Sequence, residues 1–155
     1  MKATRFIIFL AALFQSFSGA FAQPDRAHQA DELLLEEAQA IVERRKLTPL
    51  GDINAADLLV TLLRRWHNLP SEVTDSDTAA FLDNRDPIPA GQAPLRSKAY
   101  ELIADLASII ESDQLALAAF RRAEWITATH SPEDTERLAR LRAKIARLQD
   151  KSWAE

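Results

Sequence analysis

The chain has 155 residues, a formal net charge of −4 and no cysteine, and only three of its residues are glycine. This length fits one modest domain rather than two independent cores, and the lack of cysteine excludes disulfides and thiolate metal sites. The glycines, Gly19, Gly51 and Gly91, are isolated from one another, which excludes a glycine-rich phosphate loop, and the acidic balance argues against nucleic acid as a partner.

The first 22 residues have the layout of a secretory signal peptide. Lys2 and Arg5 precede an apolar run over residues 6–14, and an Ala-Phe-Ala sequence at 20–22 supplies small residues for cleavage. The run is about half of the ~20 residues that a transmembrane helix needs. We therefore predict cleavage after residue 22, with an uncleaved anchor as the alternative, and export of a single helical domain, Gln23–Glu155, to the bacterial periplasm without a stable membrane anchor.

Residues 31–67 are predicted to form an N-terminal pair of antiparallel helices. The first helix runs from about Asp31 to Lys46 and the second from about Ala55 to His67, with Asn54 as the N-cap of the second. Apolar residues recur along both at steps of three and four, which is typical of a buried helix face. These faces are Leu34, Ala38, Ile41 and Val42 in the first helix, and Ala55, Leu58, Leu59, Leu62, Leu63 and Trp66 in the second.

Residues 68–96 form a proline-rich connection. One short helix fits inside it, Asp75–Asn84, where Thr74 and Asp77 have the spacing of a capping box. Ala79, Ala80, Phe81 and Leu82 are predicted to anchor this helix. The following segment, 86–94, contains three prolines and is predicted to be an extended linker.

Residues 97–150 are predicted to form three further helices. They span Ser97–Glu111, Asp113 to about Thr129, and a last helix to about Asp150 that Ser131 caps, with Pro132 in its first position. The apolar faces are Ala99, Ile103, Leu106, Ala107 and Ile110, then Ala116, Ala119, Phe120, Ala123 and Ile126, then Leu138, Leu141, Ile145 and Leu148. The sequence therefore predicts an all-α fold of stacked antiparallel hairpins, with about five main helices and one short helix after the signal peptide.

The last helix carries most of the basic residues of its region, namely Arg137, Arg140, Arg142, Lys144 and Arg147. Glu133 and Glu136 precede Arg137 and Arg140 by four residues, the spacing of ion pairs within one helix. A basic amphipathic helix can bind an acidic partner or anionic lipid. Because acids are interleaved with the bases, we interpret this surface as a solvated outer face.

Residues 97–130 resemble a single tetratricopeptide repeat, a helix–turn–helix unit of ~34 residues. Tyr100, Ile103 and Ala104 stand at the tryptophan, leucine and glycine positions of the family pattern, and Ala116, Phe120 and Ala123 match its second helix. Ala107 and Ala128 depart from the usual tyrosine and proline, and an ordinary helical hairpin is the alternative. The resemblance implies that the first helix lines a concave binding surface, with Lys98, Glu101, Asp105, Ser108 and Ile109 facing a protein partner or, in the alternative, solvent.

The remaining candidate sites are weak, and we expect no metal ion, no cofactor and no catalytic residues. His28 and Glu32 could share a helix face, but a metal site needs further ligands. The carboxylates of residues 75, 77, 83 and 86 follow a calcium-loop register that fails at Ala79 and Ala80. Among the tryptophans, Trp66 fits the core, as does Phe120, whereas Trp125 and Trp153 are candidates for binding a partner.

The function predicted from these features is protein–protein interaction, as an adaptor, assembly factor or accessory subunit. One alternative is a periplasmic inhibitor or immunity-type protein, which would block an enzyme through a protruding loop such as 84–95. A second alternative is a cell-wall hydrolase, which would require a deep cleft lined by paired carboxylates.

Overall fold

The computed structural model describes residues 24–45, 52–67, 74–89 and 91–152, and within these ranges the chain forms six α-helices and no β-strand. The helices are α1 (Pro24–Arg45), α2 (Asp52–His67), α3 (Asp75–Asp83), α4 (Ala93–Ile109), α5 (Asp113–His130) and α6 (Thr135–Ser152). The predicted all-α class is confirmed. None of the described helices combines the length and the apolar character needed to span a lipid bilayer. The leader predicted at residues 1–22 and Trp153 lie outside the described residues.

Helix α1 begins at Pro24 rather than at the predicted Asp31. The added residues are polar or small, so apolar spacing gave no signal there, although proline is favoured at a first helical position and alanine, arginine and glutamine favour helices. The chain divides into two compact units between Leu33 and Leu34. In the described part of the first unit, the exposed imidazole of His28 lies 3.3 Å from the Glu32 carboxylate.

The second compact unit contains the rest of α1 and the other helices. In α1, Leu35, Ala38 and Val42 are buried, while Leu34 and Ile41 are half-buried. The predicted apolar face is therefore essentially correct, although it omitted Leu35, which is fully buried.

The apolar face of α2 is the one predicted: five of its members are buried and Trp66 is half-buried. The helix begins at Asp52, which places Asn54 inside the first turn instead of at the predicted N-cap. Aspartate and asparagine are both common at helix starts, so the sequence pattern does not distinguish a start at Asp52 from one at Asn54.

Helix α3 begins as predicted, because Thr74 accepts a hydrogen bond from the Asp77 backbone N–H at 3.2 Å and donates one to the Asp77 carboxylate. Its anchors are only partly those predicted: Leu82 is buried and Ala79 is half-buried against the core. Thr78 and Leu82 are buried, whereas Ala80 and Phe81 are exposed. The predicted anchors were consecutive residues, which point to different sides of a helix, whereas residues four apart share one side.

The linker predicted at 86–94 is shorter than expected, because Pro94 lies in the first turn of α4, which begins at Ala93. Proline is well suited to a first turn, where its missing N–H costs nothing. The residues before it, 84–89, form neither helix nor strand and end in a turn in which Gln92 N–H donates to the Pro89 carbonyl at 3.1 Å. Gly91 takes φ +81° in that turn, a conformation that residues with a side chain rarely adopt.

Helix α4 packs against both α2 and α5. Nine of its residues are buried, and they occupy more than one side of the helix. Helix α5 packs in turn against α3 and α6, and Phe120 is buried in the core as predicted. Six alanines of α4 and α5 are fully buried, namely Ala99, Ala104, Ala107, Ala116, Ala119 and Ala123.

The start of α6 differs from the prediction. Ser131 caps the end of α5, and the Asp134 carboxylate accepts the backbone N–H of Arg137 at 3.1 Å, which is the N-cap hydrogen bond of α6. Serine, proline and aspartate at 131, 132 and 134 all resemble helix-start residues, so the sequence placed the cap three residues early. The apolar face is as predicted: Leu138 and Leu141 are buried, and Ile145 and Leu148 are half-buried.

Candidate functional site

A cleft of about 410 Å³ lies among α1, α4 and α6 within the second compact unit. We call it the charged cleft, and its lining residues are Gln39, Val42, Lys98, Glu101, Leu102, Asp105, Arg137, Arg140 and Lys144. Val42 and Leu102 are buried apolar residues. The charged residues follow helical spacing on both sides, at positions 98, 101 and 105 of α4 and 137, 140 and 144 of α6, so one face of each helix supplies them.

Glu101 is the carboxylate that most of the cleft's basic residues contact. Its Oε2 accepts a hydrogen bond from Arg137 Nη2 at 3.1 Å, and its Oε1 lies 3.3 Å from Lys144 Nζ and 3.5 Å from Arg140 Nε. The Glu101 side chain is only 14% exposed. A carboxylate held this way interacts with three cations from one neighbouring helix, and thereby fixes the position of α6 beside α4.

Lys144 joins the two carboxylates of α4. Besides Glu101, it donates to both oxygens of Asp105, at 2.9 and 3.0 Å. Its ammonium also lies 4.9 Å from the ring centroid of Phe120, within the range of a cation–π contact. Lys144 is thus surrounded by two carboxylates and one aromatic face.

The charges of the cleft do not cancel. Four basic side chains line it against two carboxylates, which leaves a formal surplus of two positive charges. Arg137 Nε is also buried without a hydrogen-bond partner. Lys98 and Arg140 are the exposed members, Arg140 with 52% of its side chain accessible. The cleft can therefore accept a negatively charged group from outside.

The structure brings together three of the five residues predicted to face a partner on α4: Lys98, Glu101 and Asp105 line the charged cleft. The other two do not line it. Ser108 is exposed and its hydroxyl donates to the Ala104 carbonyl at 2.9 Å, and Ile109 is half-buried against the core. Both lie in the last turn of α4, beyond the reach of the α6 residues that form the opposite wall.

The interpretation of the basic residues of α6 as a solvated outer face is correct for Arg140, Arg142 and Arg147, which are exposed, but not for Arg137 and Lys144. A solvated outer face was expected, but Arg137 and Lys144 are only 19% and 30% exposed in their side chains and contact α4. Arg137 and Arg140 likewise pair with Glu101 rather than with Glu133 and Glu136. The sequence did contain a signal for the contact with α4. Arg137 and Lys144 flank the apolar stripe of α6, and residues that flank a buried stripe face the neighbouring helix.

Trp125, the other described candidate for partner binding, belongs to a different cavity of about 450 Å³. We call it the arginine cavity, and it is lined by Leu82, Asp83, Arg85, Arg121, Arg122, Glu124 and Trp125. The Arg122 guanidinium lies 4.6 Å from the Trp125 ring centroid and 5.9 Å from that of Tyr100. Burial raises the pKa of the Tyr100 phenol above its ordinary 10.0, although Arg122 and Arg96 act in the opposite direction.

The weaker candidates can also be placed. Among the described residues, no group of three or more histidine or acidic side chains has the arrangement of a metal site. The carboxylate of Asp77, part of the rejected calcium register, hydrogen-bonds to Thr74 at the start of α3. His130 is exposed in the last turn of α5.

Comparison of the chain with protein-family models, with curated proteins and with solved structures returned no match. The resemblance of residues 97–130 to a tetratricopeptide repeat therefore stays a prediction.

Proposed function

We propose that this protein is an exported, non-catalytic interaction module of the bacterial periplasm, and that it binds an acidic segment of another protein in the charged cleft. The observation that carries this proposal is the unbalanced charge of the cleft, with four basic side chains around two carboxylates. The leader pattern at residues 1–22 supports export.

The cleft suits a protein segment for two reasons. Its buried Val42 and Leu102 offer apolar contact, and its exposed Lys98 and Arg140 offer charges that an incoming carboxylate can reach without breaking the pair between Lys144 and Asp105. Charge complementarity of this kind raises association rates and selects against partners of the wrong sign.

The geometry favours this function over the inhibitor alternative, which requires a protruding loop at 84–95. The Asp86 carbonyl accepts a hydrogen bond from the buried Arg122 at 3.0 Å, and Ile88 and Leu95 pack against the core. A loop that is held at Asp86 and Ile88, and whose last residues from Ala93 belong to α4, is poorly placed to enter the active site of an enzyme.

The proposal is tested by charge reversal in the cleft. Pull-downs from periplasmic extract would compare the mature chain with Lys98→Glu and Arg140→Glu. Arg147→Glu is the matched control, because Arg147 is an exposed arginine that lies on α6, like Arg140, but outside the cleft lining. We expect the original chain and the control to capture the same protein, and each cleft variant to bind it on the order of tenfold more weakly.

A cross-link identifies the surface independently. A photoreactive residue placed at Gln39, which lines the cleft, should attach to an acidic segment of the captured protein. The proposal is wrong if no protein is captured, if the cleft variants bind as tightly as the control, or if the cross-linked segment carries no acidic residues.

A further inference from the structure

The arginine cavity differs in character from the charged cleft because its basic residues include one that is buried. Arg122 is only 4% exposed, whereas Arg85 and Arg121 are exposed. The cavity also contains two carboxylates, and one of them, Glu124, forms a 2.9 Å ion pair with Arg142 of α6. The lining thus carries three arginines against two carboxylates, a formal surplus of one positive charge.

The hydrogen-bonding groups of Arg122 are incompletely used. Its Nη2 donates to the Asp86 carbonyl at 3.0 Å, but its Nε and Nη1 are buried and have no hydrogen-bond partner. A buried N–H without an acceptor destabilises the fold, and more strongly when the group is charged. The site thus has a donor-rich group whose requirement for acceptors is unmet within the described part of the chain.

Two aromatic rings define where an acceptor could bind. The Arg122 guanidinium lies 4.6 Å from the Trp125 ring centroid and 5.9 Å from that of Tyr100, distances at which cation–π attraction operates. The attraction stabilises the cation, and the Tyr100 phenol adds a hydrogen bond to the Arg122 side chain, but Nε and Nη1 still have no hydrogen-bond partner. Oxygens placed in the guanidinium plane can accept its N–H groups as pairs, which is how arginine recognises carboxylate and phosphate.

We propose that the arginine cavity binds a small oxyanion, a carboxylate or a phosphate group, with Arg122 as its buried anchor and with Arg85 and Arg121 at its rim. A cavity of about 450 Å³ accommodates a small molecule that carries such a group. The unpaired nitrogens of Arg122 are covered by protein atoms. An anion therefore reaches them only when a side chain of the lining moves, and the proposal assigns this movement to the exposed Arg85, whose guanidinium lies 6.0 Å from the Trp125 ring centroid. This site does not depend on the function proposed for the charged cleft.

The test is isothermal titration of the mature chain with succinate and with inorganic phosphate, each against sodium chloride at the same ionic strength. We expect saturable binding of at least one of the two anions, and the comparison between them shows which oxyanion geometry the site prefers. Arg85→Gln and Arg121→Gln should each weaken the binding severalfold. Arg122→Lys, which keeps the charge but loses the planar fork, should weaken it about tenfold or more.

Two controls separate binding from folding. Arg64→Gln removes an exposed arginine of α2 that does not line the cavity, and should bind like the original chain. Circular dichroism checks that each variant is folded, because Arg122→Lys removes a buried guanidinium. If Arg122→Lys does not fold, the binding of Arg85→Gln and Arg121→Gln decides the test. The proposal is overturned if neither anion binds more tightly than chloride, or if the rim variants bind as well as Arg64→Gln.

Discussion

At the scale of single residues, the described unit uses buried charge to join elements that are distant in sequence. Glu101 and Arg137 are 36 residues apart, and so are Asp86 and Arg122. Each of these contacts joins two segments with a charged group that is largely shielded from water. Breaking the Glu101–Arg137 ion pair is costly because each charge loses a counterion in a place shielded from water. Breaking the second contact leaves a guanidinium N–H of the buried Arg122 without its backbone acceptor.

Replacing Glu101 with glutamine should therefore be more destabilising than replacing a surface carboxylate. We expect Glu101→Gln to lower the free energy of unfolding by about 1–3 kcal/mol, since three cations lose their shared counterion. The matched control is Glu124→Gln, whose partner Arg142 is 62% exposed and whose loss should cost about 0–1 kcal/mol. Urea unfolding at low salt measures both, and equal losses would contradict the expected role of Glu101.

The ionisation of Tyr100 should make the stability of the fold depend on pH in the alkaline range. Burial raises the pKa of its phenol above 10.0 in the folded chain, against the lowering effects of Arg122 and Arg96. The folded state thus holds the proton more tightly than the unfolded state. The stabilisation is complete below the unfolded pKa of 10.0 and is lost as pH rises through the folded value.

The measurement is direct because Tyr100 is the only tyrosine of the chain. Phenolate absorbance should give a higher midpoint in the native protein than in urea. Tyr100→Phe should show a smaller loss of stability than the original chain between neutral pH and about pH 11. Identical midpoints in the native and unfolded protein would show that the burial of Tyr100 does not govern its ionisation.

At the scale of elements, the sequence revealed the buried face of each helix more reliably than its first residue. The apolar faces of α2 and α6 are where three- and four-residue spacing predicted them, because burial against a core requires that spacing. Helix starts were less certain, because several neighbouring residues could each serve as a cap. The extra turns of α1 are polar and leave no periodic apolar signal at all.

The charged cleft could be predicted only in part. Lys98, Glu101 and Asp105 were found through the repeat-like pattern of α4. Their partners on α6 were not, since the sequence shows which charges lie four residues apart but not which helices become neighbours. Arg122 gave no signal either: an arginine among alanines on α5 resembles a solvated residue, and only the packing of Tyr100 and Trp125 around it shows that it is buried.

The start of α6 gives a prediction in which sequence and structure disagree. Asp134 accepts the backbone N–H of Arg137, so Asp134→Ala should lower the free energy of unfolding by about 1 kcal/mol. Ser131→Ala should have a much smaller effect, since Ser131 lies at the C-terminal end of α5. Thermal unfolding of the two variants shows which residue is the N-cap of α6. A larger loss of stability for Ser131→Ala would support Ser131, the N-cap that the sequence pattern favoured.

At the scale of the whole molecule, the buried residues of the second compact unit form one cluster that runs from Leu35 in α1 to Leu141 in α6. Described residues from each of the segments 31–67, 68–96 and 97–150 of the predicted single domain therefore contribute to one core. The proline-rich connection contributes to the cluster through Leu82 and Ile88. Because helices from both ends of the unit share this core, disturbing α4 should affect the charged cleft and the arginine cavity together.

Export is the prediction that concerns the whole chain. When the full sequence is expressed in a Gram-negative bacterium, we expect a periplasmic product whose first residue is Gln23, because a positive head, a short apolar run and small residues at the cut are what the export machinery reads. Intact mass and N-terminal sequencing of the periplasmic fraction measure this. Leu10→Arg should block export by placing a charge in the apolar run, whereas Arg5→Lys keeps the positive head and should be processed normally. Recovery of the uncut chain in the membrane fraction would favour an anchor, and recovery in the cytoplasm would remove the basis for a periplasmic partner.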